Sequence, residues 1–278
     1  MKFKNLKNII IQTLTWLSLF AIVIITLGFS EKQRLSEKCN KIIIQILDSN
    51  KNHFINSKDI LEILNNKNFK LLNNLITNIN LNEIETELNS LPWIKKTEAY
   101  TTIDGKLFID LIQKTPMLRV INYNNESYYI DEEGTVFSLS DNYSARVLIV
   151  SGDINEPYAL YAGKKAYLVE KQNNDEIKRN SLLDEIYYIA NNIYNDTLLK
   201  FLIEQIYVNN NEFELIPKFG DLIIEIGDTN NLKTKLLKLK LFYQQIMPKL
   251  NGDEYCKISL KYKNQVVCTK TNLNYESK

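Results

Sequence analysis

Between Ile9 and Phe29 the chain carries 21 consecutive residues without a charge, IIIQTLTWLSLFAIVIITLGF. A soluble core helix keeps a polar face, and this segment has none. At about 1.5 Å per residue it reaches roughly 30 Å, the thickness of a bilayer's hydrocarbon core. Trp16 and Phe20 lie within it, and its few polar residues, Gln12, Thr13, Thr15, Ser18 and Thr26, are all neutral. A cleaved leader has a shorter apolar centre, ~7–15 residues, followed by a small-residue cleavage site. The exit here reads Leu27-Gly28-Phe29-Ser30 instead. The expectation is an uncleaved transmembrane helix over residues 9–29, with membrane lipids around it.

Flanking charge says little about orientation. Lys2, Lys4 and Lys7 precede the span and Lys32, Arg34 and Lys38 follow it, three on each side, so the positive-inside rule is nearly silent. Residues 1–8 are too few to fold, whereas about 250 residues beyond the span suffice for two domains. The expected arrangement is a cytoplasmic head over 1–8, a linker over 30–38, and a body outside the cytoplasmic (inner) membrane.

Composition and motifs exclude several functions. Lys and Arg number 34 against 33 Asp and Glu, a net charge of +1, which gives no basic field for nucleic acid. The three cysteines, Cys39, Cys256 and Cys268, are an odd number and lack zinc-site spacing. The one histidine, His53, follows Ser49-Asn50-Lys51-Asn52 and reads as a surface loop residue. It excludes a zincin motif, and no glycine-rich phosphate loop is present. Asp131-Glu132-Glu133 read as a solvated turn before Gly134, and Asp184-Glu185 are helix neighbours that point apart. No catalysis, cofactor, metal or small-molecule substrate is expected.

The body divides by pattern. Cys39–Leu47 reads as a strand. Asn56 or Ser57 can cap a helix over Ser57–Asn65 that places Ile60, Leu61 and Leu64 on one face. Asn80 with Glu83 opens a second helix over Leu81–Leu91, striped by Ile84, Leu88 and Leu91 and stopped by Pro92. Strands Ile94–Thr102 and Lys106–Gln113 follow, joined at Asp104-Gly105. This is a β-α-α-β-β unit over residues 39–116.

Residues 117–270 read as a larger β-domain with a mainly antiparallel sheet packed by two helices. Its strands are Arg119–Tyr123, Ser127–Asp131, Thr135–Ser138, Ala145–Ser151, Leu202–Val208, Glu212–Pro217, Asp221–Ile226, Glu254–Tyr262 and Gln265–Lys270. One helix covers Ser181–Asn195. A longer one, capped by Thr229, runs to Met247 with Leu232, Leu236, Leu239, Phe242, Tyr243 and Ile246 inward. A polar tail occupies 271–278. The fold class is α+β.

Three segments in this order resemble a known family. Leu91-Pro92-Trp93-Ile94-Lys95-Lys96, the following hairpin and Thr115-Pro116 resemble the end of the POTRA domain of the cell-division protein FtsQ/DivIB. Tyr129-Ile130-Asp131-Glu132-Glu133-Gly134-Thr135-Val136-Phe137 is similar to the hairpin that opens that family's β-domain. Ile258-Ser259-Leu260-Lys261-Tyr262-Lys263-Asn264-Gln265-Val266-Val267 is similar to its terminal hairpin, with Ser259 where aspartate is common. The resemblance implies a non-catalytic divisome scaffold at the division septum.

In that terminal hairpin, a two-residue turn at Lys263-Asn264 puts Cys268 opposite Ser259 and turns Cys256 to the other face. The last strand is a sheet edge with unpaired backbone groups. Such an edge is either tolerated, guarded by Lys261, Lys263 and Lys270, or accepts a partner strand. The resemblance implies the second, because the family recruits FtsB and FtsL through its C-terminal β-region. The candidate partner-binding residues are then Tyr262, Gln265, Val266, Val267, Cys268 and Thr269. The alternatives are a POTRA-bearing envelope assembly or transport factor, and a membrane-anchored envelope enzyme.

Overall fold

The computed structural model describes residues 14–25, 37–47, 52–167, 181–249 and 255–270. Of the expected segments, 1–8, 30–36 and 271–278 lie outside the described residues, as do Ile9 and Phe29 of the expected span. Residues 14–25 form a helix, α1, on which Trp16 is 69% and Phe20 70% exposed. Twelve residues reach about 18 Å, and no described helix is long and apolar enough to cross a membrane. Residues 9–13 and 26–29 of the expected span lie outside the described residues.

The described residues fold as two compact units, one drawn from residues 14–47 and 55–113, the other from 52–54 and 114–270. Thr115 and Pro116, expected to close the first domain, stand in the second unit.

The first unit follows the expected order: β1 (Lys41–Ile46), α2 (Ser57–Asn66), α3 (Leu81–Asn89), β2 (Ile94–Thr101) and β3 (Lys106–Gln113), with a 3-10 turn at Ile76–Asn78. β3 is central, parallel to β1 and antiparallel to β2. Asn56 caps α2 by accepting from the backbone N–H of Asp59, whose carboxylate accepts in return from the Asn56 N–H, so two otherwise orphaned donors are satisfied. Ile60 and Leu64 enter the core, but Leu61 is 36% exposed. One residue on from Ile60 is a rotation of about 100°, which carries Leu61 off the stripe while Ile63 stays beside it. Leu107, Ile109 and Leu111 of β3 close this core from the sheet side. Gly105 turns the hairpin at φ +80°, where a Cβ would stand 2.6 Å from the Lys38 carbonyl, so only glycine fits.

The second unit contains one nine-stranded sheet: β4 (Pro116–Ile121), β5 (Ser127–Asp131), β6 (Val136–Ser138), β7 (Leu148–Gly152), β8 (Ile203–Asn209), β9 (Glu212–Pro217), β10 (Ile223–Gly227), β11 (Tyr255–Ser259) and β12 (Val267–Lys270). Their spatial order is β12-β11-β10-β9-β8-β7-β4-β5-β6. Five of the eight neighbouring pairs are antiparallel; β4–β7, β7–β8 and β10–β11 are parallel. Two helices, α4 (Tyr158–Tyr161) and α6 (Thr197–Leu202), interrupt the expected run. α6 is opened by Asp196, whose carboxylate accepts from the Leu198 and Leu199 N–H groups. It takes up the residues just before β8.

One face of this sheet carries the main core, covered by α5 (Leu182–Tyr194) and α7 (Leu232–Leu241). Leu183, Ile186, Ile189, Ala190 and Ile193 of α5 are buried, at the 3–4 residue spacing of an amphipathic helix. The sequence placed the cap of α7 at Thr229, but Asn231, at φ 53°, precedes the helix and gives no side-chain cap. Thr229 is buried and donates its hydroxyl to Glu185 at 2.9 Å. Lys235 binds back to the Asp228 carboxylate and carbonyl at 2.7 and 2.9 Å, holding the first turn from outside the helix. After Leu241 the helix continues as a π turn, Phe242–Ile246, and a 3-10 turn, Met247–Lys249. Wider winding shifts the phase of every later side chain, and Ile246, expected inward, is 45% exposed.

Candidate functional site

β12 is the outermost strand on one side of the nine-stranded sheet. At the opposite edge, β6 is not bare: Val136 N–H donates to the Lys164 carbonyl at 2.9 Å and Gly163 N–H to the Val136 carbonyl at 2.9 Å. The hairpin leading into β6 needs Gly134 at φ +81°, where a Cβ would stand 2.4 Å from the Tyr167 ring.

The residues around β12 fix its position from three directions. Ile258 and Leu260 are fully buried and tie β11 to the core. The Leu260 N–H donates to the Glu225 carbonyl at 2.8 Å, so this residue is held by β10. The Lys238 ammonium of α7 donates to the Tyr262 carbonyl at 2.8 Å, and to the Leu260 and Gln265 carbonyls at 3.4 Å each. It clasps the connecting loop from beneath. Lys257 pairs with Glu225 at 3.0 Å, and Lys261 with Glu212.

This anchoring changes the expected register. Seven residues, 260–266, join β11 to β12 instead of a two-residue turn. Cys268 stands opposite Ile258, and Ser259 opposite Val267. The cause is Leu260: buried and bonded to β10, it leaves the strand pair before a tight turn can form. A bulge at Cys256, between paired Tyr255 and Lys257, absorbs a second irregularity. All three cysteines are free thiols.

The candidate residues therefore divide. Val267, Cys268 and Thr269 lie in β12; Tyr262, Gln265 and Val266 lie in the loop. Val267 is 40% and Tyr262 51% exposed, while Val266 and Cys268 pack partly against the core. Lys238 and Glu225, which hold this edge, were not singled out by sequence. A lysine on a helix and a glutamate on a strand carry no signal until their partners are placed.

Local electrostatics favour the paired charges. Hydrogen bonding and attraction from Glu225 raise Lys257 above its ordinary value, and Glu212 does the same for Lys261. Burial works to raise the Glu225 carboxyl, but Lys257, Ser259 and Lys261 together outweigh it and the net shift is downward. Burial pushes the Cys268 thiol up, which disfavours the reactive thiolate.

The carboxylates considered for chemistry are engaged in structure. Asp131 accepts from the Glu133 and Thr135 N–H groups at 2.9 and 2.7 Å, which shapes the turn. Burial raises its carboxyl above the usual range. Glu132 binds the Tyr194 hydroxyl, and Glu185 the Thr229 hydroxyl. His53 is exposed, edge-on to Tyr143 at 5.5 Å. Among the described residues no three His, Cys, Asp or Glu side chains converge to hold a metal ion.

The family model FtsQ/DivIB, C-terminal related, matches residues 115–269, more than half of the chain. The chain belongs to the FtsQ/DivIB family. Residues 37–112 match a POTRA-like domain, so both units of this FtsQ/DivIB protein are covered. No curated protein matches the chain. In FtsQ/DivIB terms, β12 and its loop form the end of the matched C-terminal region.

Proposed function

We propose that this chain is a non-catalytic, single-pass membrane scaffold of the bacterial division machinery, acting at the septum. Its N-terminus is cytoplasmic, the apolar segment over 9–29 is the anchor, and the two units stand outside the cytoplasmic membrane. It links early and late division proteins, and FtsB-like and FtsL-like membrane proteins dock by adding a strand to β12.

The observation that carries this reading is β12 itself, an outermost four-residue strand with Val267 and Thr269 exposed and a loop already held by Lys238. Strand addition draws affinity from main-chain bonds, each worth about 0.5–1.5 kcal/mol net. Proline at 267 removes an N–H and restrains the strand. Capture of FtsB-like and FtsL-like partners from solubilised membranes is expected to be lost in Val267→Pro and kept in Lys263→Ala. Undiminished capture by Val267→Pro removes the strand-addition mechanism. The anchor is tested separately: protease added to intact spheroplasts is expected to digest the body, and its protection reverses the orientation.

A further inference from the structure

A groove of about 910 Å³ opens in the interior of the second unit's sheet, at the start of β7, from a mismatch in strand length. Leu148, the first residue of β7, stands opposite Leu118 of β4, and Ile149 opposite Gln205 of β8. Its neighbours begin earlier, β4 by two residues at Pro116 and β8 by one at Ile203. The middle strand stops short and leaves a notch. Residues 143–147, with neither strand nor helix, form one wall, and the end of α5 with α6 forms another.

The lining is one-sided in charge. Arg119, Arg146, Lys200 and Lys218 face a single carboxylate, Glu204. Among the described residues none of these four cations makes an ion pair. Arg119 donates to the neutral Ser127 hydroxyl at 2.7 Å. The Lys200 ammonium lies 3.5 Å from the Tyr194 ring centre, and that of Lys218 6.0 Å from the centre of Phe201. Phe201 is 65% exposed, and the equally bare Phe219 stands 6.1 Å from it. Elsewhere in this unit Lys235, Lys240 and Lys257 each have a carboxylate within 3.0 Å. Cations gathered around a recess and outnumbering its carboxylate create a potential that attracts an anionic ligand. An exposed aromatic ring beside them offers an apolar anchor.

We propose that this notch docks an extended acidic segment of a partner protein, its carboxylates on the four cations and an apolar side chain against Phe201. The site is separate from β12 and does not depend on strand addition there.

The test uses the full chain in neutral detergent and a fluorescein-labelled peptide of about ten residues alternating glutamate with leucine, followed by anisotropy. Arg146→Glu with Lys218→Glu is expected to weaken binding about ten-fold or more, and Phe201→Ala about three-fold. Binding is expected to fall as salt rises. Lys263→Glu and Val267→Pro are expected to stay within about two-fold of the parent, which separates this site from the β12 edge. If the double reversal fails to fold by circular dichroism, Arg146→Gln with Lys218→Gln replaces it, and no loss of binding in that variant overturns the proposal. Equal binding of a lysine–leucine peptide overturns it too. So does charge-sensitive binding of dihexanoyl phosphatidylglycerol without binding of the peptide, which makes the occupant a lipid headgroup.

Discussion

The β12 edge and the interior notch of the second unit's sheet treat charge in opposite ways. Around β10–β12 the lysines are matched: Lys257 with Glu225, Lys261 with Glu212, and Lys238 with three backbone carbonyls. At the notch between β4 and β8, Arg119, Arg146, Lys200 and Lys218 have no carboxylate partner among the described residues. The first region has satisfied side chains and an open backbone edge. The second has a flanked backbone and open side chains. Binding at the first is then expected to rest on main-chain bonds and be tolerant of salt, and at the second on charge and be sensitive to it.

Substitutions in the two regions sharpen this contrast. The largest effect is expected from Leu260→Ala, which leaves a cavity in the second unit's core, where this side chain is fully buried. A loss of about 2–5 kcal/mol in urea unfolding is expected. A loss below about 1 kcal/mol means that β11 and β12 are not integral to this core. Lys238→Met keeps the aliphatic stem and removes the clasp. A cost of about 1–2 kcal/mol is expected, with faster amide exchange confined to residues 260–266, and unchanged exchange there removes the clasp from the account.

Glu225→Gln is expected to cost only about 0.5 kcal/mol, since its partner Lys257 is 40% exposed and screened by solvent. Its folded carboxyl lies below the ordinary value of 4.5. The stability it contributes is therefore fully present above the unfolded pKa, and fades as pH falls below 4.5 through the depressed folded value. Urea midpoints measured across that window are expected to converge for parent and variant, and a constant difference contradicts the ion pair. The smallest effect belongs to the notch. Arg146→Gln removes a cation without a carboxylate partner, so stability is expected to change by less than about 0.5 kcal/mol, while acidic-peptide binding weakens. A large stability loss in that variant means that the notch cations are structural.

Much of the fold was legible in short-range pattern. The alternation of Leu107, Ile109 and Leu111 marks β3 without ambiguity, and Asn56 and Asn80 cap the two helices of the first unit as their spacing implies. What pattern misses is set by contacts between distant residues. The two-residue turn failed because Leu260 is bonded to β10, a partner about thirty-five residues away. The straight run of α7 failed at a π turn that leucine periodicity does not register. Of the candidate edge, Val267, Cys268 and Thr269 are in the strand, whereas Lys238 and Glu225 are invisible without topology. The notch was out of reach altogether, because it arises from the unequal starting points of three strands far apart in sequence.

The Lys238 clasp has a kinetic consequence. A rim that is ordered before a ligand arrives leaves little conformational search after collision, so the strand addition proposed for β12 would be governed by encounter frequency and orientation. With the ammonium gone, the same contacts form at the end, but each productive landing must wait for the rim to find its shape. The arrival rate then drops, while the residence time changes far less.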